Sequence, residues 1–490
     1  MSSTDDASPS VRRQGARLYF AGSIVAQVAA LVRYVVMARI LGPEQLGMAA
    51  TLVVTSAFFD LVTDTGGDRF VIQDRNGDDP PVQSMVQLVY VVRGAVVGLI
   101  LALFATPLAA FYKTPALAFG FVVLGLVPFI GGFLNLDIRR VQRRSDFRPE
   151  AWCMMVSEIC SLVATAAAAW LTRSFTAIIW GLMARAIAMT ILSHLLAKRR
   201  YRVGWSRKDA PRFLHFALPL MLNGFMLFVG SQGDRVMVAR ELGSSGIGHY
   251  QAVILLIFYP SALLQRYMHV VFLPLIASAR DDDTKRMEVV ELMGGLTFLL
   301  ALAMAAGFAL VAPLAVPILY GKRFAVTALI AGLMGVLQTT RFLINWPTTV
   351  NLALGHSRAV LVSSIAKLMV FPGAYLGFHL IGGIAGVVIG FTGGELISIF
   401  VGVALMDWHL GRTWSFGFDR LAYFGLAAAA MVGFGLAQQW GSGSMSLVMT
   451  SLSACLIVWI LRREAATLAS VISVGRRYAR PWLLKFGVTT

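Results

Sequence analysis

The sequence predicts an all-α polytopic membrane protein with about fourteen transmembrane helices, in two six-helix pseudo-symmetric lobes plus a C-terminal helix pair. Three observations carry this. Hydrophobic residues make up 57% of the 490 and charged residues only 14%, with a mean hydropathy of +0.73, far outside the range of a soluble globular domain. Apolar runs long enough to cross about 30 Å of hydrocarbon recur along nearly the whole chain, and no polar stretch between them is long enough to fold alone. Finally, "MARILGPEQLG" at 37–47 returns as "VARELGSSGIG" at 238–248. Ala38 falls on Ala239, Arg39 on Arg240, Leu41 on Leu242, Gly42 on Gly243 and Gly47 on Gly248, a constant offset of 201.

Taken in order, residues 1–16 form a polar tail. The first span, roughly 17–40, contains Arg33 and has no small-residue cleavage site, so it reads as retained and not as a signal peptide. "LGPEQLG" separates it from the second, 46–63, and "YKTPA" separates the third, 82–111, from the fourth, 115–137. The basic "DIRRVQRRSDFR" precedes the fifth, 151–172, "TRSFT" the sixth, 175–197, and "AKRRYRVGWSRKDAPR" the seventh, 212–238. The second copy of the repeat leads into the eighth, 247–277, and "ARDDDTKRME" into the ninth, 288–318. "YGKRF" opens the tenth, 324–347, followed by the eleventh and twelfth at 357–380 and 383–407. The last two, 420–439 and 444–461, are joined by "WGSGSMS". The divisions are therefore an N-lobe over 17–200, a C-lobe over 201–410, a helix pair over 411–461 and a tail over 462–490.

Charge sets the expected orientation. With the N-terminus cytoplasmic, about 29 of the 42 Lys and Arg fall on the inner side, about 6 outside and about 7 within spans, as the positive-inside rule requires. Both termini are then cytoplasmic. The net charge of +17 follows from this topology, and with no soluble basic domain present no nucleic-acid partner is expected. Cys153, Cys160 and Cys455 form neither a disulfide framework nor a metal-ligand cluster. The basic segment after 462 fits an amphipathic helix on an anionic inner leaflet. Docking to a glycosyltransferase or polymerase is the alternative.

The short outer connections argue against a membrane glycosyltransferase or ligase, which would need a substantial outer loop to hold acceptor and catalytic residues. "GGIAGVVIGFTGGE" has no Gly-Lys-Ser/Thr and lies in a span, so its glycines read as close helix packing and not as a nucleotide loop. An offset of about six spans makes two like halves entering the membrane in the same direction, the geometry of a transporter that rocks about a midplane site.

The "ARxLG…xG" element, "FFDLVTDTGGDRFVIQ" and "GDRVMVARELGSSGIGHYQA" resemble the polysaccharide transport branch of the multidrug/oligosaccharidyl-lipid/polysaccharide (MOP) flippase superfamily. The likeness covers about residues 15–460. It implies a non-enzymatic transporter of the bacterial cytoplasmic (inner) membrane. Its cargo would be an undecaprenyl-diphosphate-linked oligosaccharide repeat unit, moved to the periplasmic leaflet for exopolysaccharide or O-antigen synthesis, with membrane lipids and a polysaccharide polymerase or co-polymerase as further partners. A lipid II flippase and an ion-coupled drug exporter of the same superfamily are the alternatives.

A diphosphate cargo needs a cationic, wet site, and an arginine kept inside a span at about 2.5–3.5 kcal/mol on insertion scales is a functional candidate. The candidates are Arg33, Arg93, Arg185, Arg266, Arg341 and Lys367, with Gln338 and Asn345 sharing the Arg341 face at i, i+3, i+7 spacing. Ser363 with Lys367, and Arg266 with His269, share faces in the same way, and those faces are expected to line a central cavity. Arg33 and Arg266 are favoured because the first and eighth spans flank the lobe interface in the superfamily that the chain resembles. Pairing with a buried carboxylate is the competing reading. Arg39 and Arg240, at outer helix ends, read as capping or lobe-closing residues, and Asp234 beside Arg235 as an ion pair with a gating role in prospect. Asp60, Glu158 and Glu395 are candidates for proton or ion coupling, against a static bridge such as Glu158 with Arg185. No cofactor is expected, and the energy source is open between a proton or sodium gradient and the membrane potential. Gly42, Gly243, Gly47 and Gly248 are read as helix stops and restarts, and Tyr112, Tyr320, Trp346 and Trp440 as interfacial anchors.

Overall fold

The computed structural model describes residues 9–412 apart from 145, together with isolated positions between 419 and 469. The described residues contain helices and no strand. The principal helices are α1 (Leu18–Leu41), α2 (Pro43–Val62), α3 (Pro80–Leu103), α4 (Leu117–Gly131), α5 (Arg148–Thr172) and α6 (Ala177–Leu195). Ala210–Ser278 runs on as α7 (210–242) and α8 (244–278), because Gly243, at φ 68°, breaks the helix between them. There follow α9 (Asp283–Tyr320), α10 (Ala328–Ala353), α11 (Ser357–Ile381) and α12 (Gly383–His409). Counting Ala210–Ser278 once, ten described helices are long and apolar enough to cross a membrane, and α4 is shorter. The twelve helices coincide one for one with the first twelve predicted spans. The first helix begins at Pro9, so residues 9–16 of the expected polar tail are helical; residues 1–8, and all but isolated positions of the predicted pair at 420–461 and of the basic tail, lie outside the described residues.

The chain forms two compact units, Met1–Gln251 and Ala252–Thr490. In the first, α5 packs on both α1 and α6, and α3 on α4. One of its hydrophobic clusters gathers Phe70, Val82, Met85, Leu136 and Phe213, with the rings of Phe70 and Phe213 edge to face at 5.2 Å. In the second, α10 is the hub: 72% of its apolar window is buried, against 22% for α11. The helices α11 and α12 touch backbone to backbone where Gly373 meets Gly390 and Gly377 meets Gly386, so the glycine-rich run serves helix packing. Large apolar side chains such as Leu103, Phe119, Trp170 and Leu380 point outward while Arg33, Glu158 and Glu395 are buried. That inversion suits a hydrocarbon solvent.

The two copies of the repeated element meet within the first unit. Gly42 (φ 82°) and Gly243 (φ 68°) each turn the chain between consecutive helices with a backbone that other residues adopt only under strain. Gly47 and Gly248 differ from the expectation of a helix stop and restart: both lie inside helices. A Cβ on Gly47 would collide with the Ser244 carbonyl, and one on Gly248 with the Pro43 carbonyl, so the pair lets α2 and α8 cross at backbone contact. Three expected interfacial aromatics are also placed differently. Tyr112, Tyr320 and Trp346 are 5%, 1% and 3% exposed, and the Trp346 indole donates to the Val290 carbonyl at 3.1 Å. The Tyr112 hydroxyl accepts from Thr55 at 3.2 Å, so burial satisfies the polar ends of Tyr112 and Trp346 as an interface would. Trp440 lies outside the described residues.

Candidate functional site

In the first unit, α1, α5 and α6 bring two arginines to one carboxylate. Arg33 Nη1 lies 2.8 Å from Glu158 Oε1, and Arg185 Nε 3.1 Å from Glu158 Oε2. Arg33 also donates to the Ser161 hydroxyl. The Arg33 and Glu158 side chains are almost wholly enclosed, whereas that of Arg185 is 55% exposed. A cavity of about 300 Å³ opens beside them, lined by Ser56, Asp60, Tyr90, Arg93, Glu158 and Arg185 among others. Arg93 donates to the Thr63 hydroxyl and to the Asp60 carbonyl, both at 2.8 Å, with the Asp60 carboxylate at 3.7 Å. Thr63 and Ser161 were missed in the sequence. Their signal was available: each is a hydroxyl three residues after an intramembrane carboxylate and so on its helical face.

The second unit builds a like arrangement from α10, α11 and α12. Glu395 is fully buried, with Arg341 Nε at 3.3 Å and Lys367 Nζ at 3.2 Å. The Arg341 guanidinium also lies 5.0 Å from the centre of the Phe391 ring. Lys367 sits where α11 tightens into a single 3₁₀ turn, Lys367–Met369. Gln338 donates to Ser261 at 2.8 Å, and Gln265 donates to the Arg341 carbonyl at 3.0 Å. The face carrying Gln338, Arg341 and Asn345 is therefore buried against α8. Thr349 ties its end together, with His269 at 3.2 Å and Asn345 at 3.5 Å. Arg266, on the same helix as Gln265, is exposed. In each unit two cations face one carboxylate, so each cluster carries a formal charge of 2 − 1 = +1.

The residues assigned to the outer helix ends gather in the first unit. Asp234, fully buried, accepts from the Tyr250 hydroxyl, and Arg235 donates to Gln232 at 2.7 Å. Arg240 bonds Glu241 at 3.1 Å and lies 4.5 Å from the centre of the Phe111 ring, while Lys113 reaches Glu241 at 3.2 Å. Arg39 is exposed. These contacts join the α7–α8 turn to the loop after residue 111, the same end at which Gly47 and Gly248 cross.

Residues 36–329 match the family described as "Polysaccharide biosynthesis protein". The chain belongs to that family. It is 26% identical over 307 residues to the succinoglycan biosynthesis transport protein ExoT of Rhizobium meliloti (strain 1021), covering 61% of each chain. It is 19% identical over 266 residues to an uncharacterized membrane protein in the cps region of Klebsiella pneumoniae, covering 54% of this chain and 55% of that one. The family member described here thus spans about 55–61% of the length of these relatives. Its fold is similar to those of solved transporters. The lipid II flippase MurJ in an inward closed conformation is similar with a TM-score of 0.67 at 11% identity, over 92% of this chain and 99% of that one. An inward-facing multidrug resistance MATE transporter is similar with a TM-score of 0.66 at 16% identity, over 79% and 94%.

Proposed function

We propose that this protein flips an undecaprenyl-diphosphate-linked oligosaccharide repeat unit from the cytoplasmic to the periplasmic leaflet by alternating access, in exopolysaccharide or O-antigen synthesis. The observation that carries the reading is the net positive cluster inside each unit of a polysaccharide biosynthesis family member, buried except for the half-exposed Arg185. Holding two cations among apolar helices is expensive, and a diphosphate is an anion able to use the surplus charge. The similarity to ExoT supports a polysaccharide intermediate as cargo over a drug or lipid II. Arg185, paired yet half exposed beside the first unit's cavity, is the best placed of the candidates to meet it. Both termini are cytoplasmic in this reading, and Asp60, open to the same cavity, is the carboxylate suited to exchange a proton or sodium ion.

The test uses a deletion strain and one variant. Deletion should accumulate the lipid-linked oligosaccharide on the cytoplasmic leaflet. Neutralising Arg33, Arg266 and Arg341 together should abolish surface polysaccharide while the protein stays in the membrane. Glu158 keeps Arg185 and Glu395 keeps Lys367 in that variant, so the chain should fold while each cluster falls from +1 to 0. Normal surface polysaccharide in the triple variant overturns the cavity assignment, and absence of the accumulated intermediate overturns the cargo.

A further inference from the structure

We infer that the first unit carries a second anion site, separate from the buried clusters, that takes the phosphodiester headgroup of an anionic phospholipid. A cavity of about 310 Å³ lies between the first turns of α3, the segment after α4 and the loop 196–209, lined by Gln83, Asn135, Arg200, Tyr201 and Arg202 among others. Gln83, only 8% exposed, lines the cavity. Asn135, 2% exposed, also lines the cavity, and its carbonyl oxygen accepts from the Asp137 amide at 3.0 Å. The Tyr201 hydroxyl, beside Gln87, is buried without a hydrogen-bond partner. Arg200 and Arg202 are exposed, and neither has a carboxylate within salt-bridge distance among the described residues. Arg199, between them and the helix, is already spent on Asp78.

A buried hydroxyl left unpaired is costly, and a cavity lined by two guanidiniums, two amide side chains and a phenol asks for an oxyanion with several acceptor oxygens. The loop is held ready for it. The Lys198 and Arg199 amides donate to Asp137 Oδ2 at 2.7 and 3.1 Å on one side of the arginines, and the Gly204 amide donates to the Ser84 carbonyl at 3.2 Å on the other. The source of the phosphate is indicated by the next residues. Val203 and Trp205, in the same loop, are 52% and 58% exposed, a pattern that suits the boundary between headgroups and acyl chains and not a site for a soluble ion. The site stands whether or not the flipping role above is correct.

Titrating phosphatidylglycerol into the purified full chain in detergent, with bound lipid counted by native mass spectrometry, tests this without any transport step. Arg200→Gln with Arg202→Gln should weaken phosphatidylglycerol about 30-fold, about 2 kcal/mol at 1.4 kcal/mol per decade, and leave phosphatidylcholine unaffected. Gln83→Leu, which removes one buried donor and no charge, should weaken it less. Equal retention in the double arginine variant overturns the site. Displacement of the lipid by inorganic phosphate alone overturns the lipid assignment in favour of a soluble anion.

Discussion

Substituting Gly47 by alanine probes the crossing of the two repeated turns most directly. The added Cβ would stand 2.6 Å from the Ser244 carbonyl carbon and 2.9 Å from the Gly248 amide nitrogen, with the Ser244 oxygen closer still. Carbon contacts settle at about 3.5–4.0 Å, so α2 and α8 must part by roughly 1 Å. No side chain can rotate away, because the obstructing atoms are backbone. Overpacking of this kind costs about 1–3 kcal/mol, against about 0.5–1 kcal/mol gained by replacing a helical glycine with alanine. The net effect is a loss of up to about 2 kcal/mol. Gly307, in the middle of α9 with nothing within 4 Å of its would-be Cβ, supplies the contrast. Gly307→Ala should gain the full propensity term and raise the thermal midpoint of the purified protein, while Gly47→Ala should lower it. A midpoint that rises in both variants would refute the backbone crossing.

Four further outcomes are expected. Glu158→Gln should sharply lower the amount of folded protein, since buried Arg33 then loses its counter-charge, a change worth about 3–5 kcal/mol. Arg185→Gln, at a half-exposed position, should leave the folded amount near wild type and alter transport alone; comparing detergent-soluble monodisperse protein with surface polysaccharide separates the two. Glu395→Gln should behave like Glu158→Gln, because Arg341 and Lys367 lose their shared partner. The loop carboxylate Asp137 is pushed up by burial, but the Arg140 guanidinium and the Lys198 and Arg199 amides outweigh this and hold it below the usual aspartate range. A depressed carboxylate stabilises the fold above its ordinary pKa, about 3.9, and that stability is lost as pH falls through its lower folded value. Melting followed over falling pH should therefore steepen below about pH 4 in the wild type and flatten in Asp137→Asn.

The spans were legible because each is decided locally, by some twenty apolar residues between polar terminators. The pairings were not, apart from Glu158 with Arg185. Arg33 reaches Glu158 from another helix 125 residues away, and which face α1 turns toward α5 depends on packing that no single segment encodes. Trp346 shows the same limit. Its place near a span end reads as an interface, yet α9 covers that end and offers the Val290 carbonyl. Gly47 and Gly248 were visible as a repeat, but a repeat says only that two turns are alike. That they are alike because they lie against each other emerges only when both are in space.

Ion pairing and cargo contact are rival roles for an intramembrane arginine, and the geometry weakens the opposition between them. A bridge whose sole task was to neutralise a buried carboxylate would need one cation. Glu158 has two and Glu395 has two, on separate helices in each case. The carboxylate makes burial of the pair tolerable, and the second cation leaves a charge of +1 that water-poor surroundings screen little. Each cluster is thus a basic site held in place by an internal acid: Arg33 fixes the carboxylate from within, and Arg185 carries the remaining charge to the edge of the cavity. An anion arriving there would meet an arginine already oriented, which is the condition under which binding loses least in side-chain ordering.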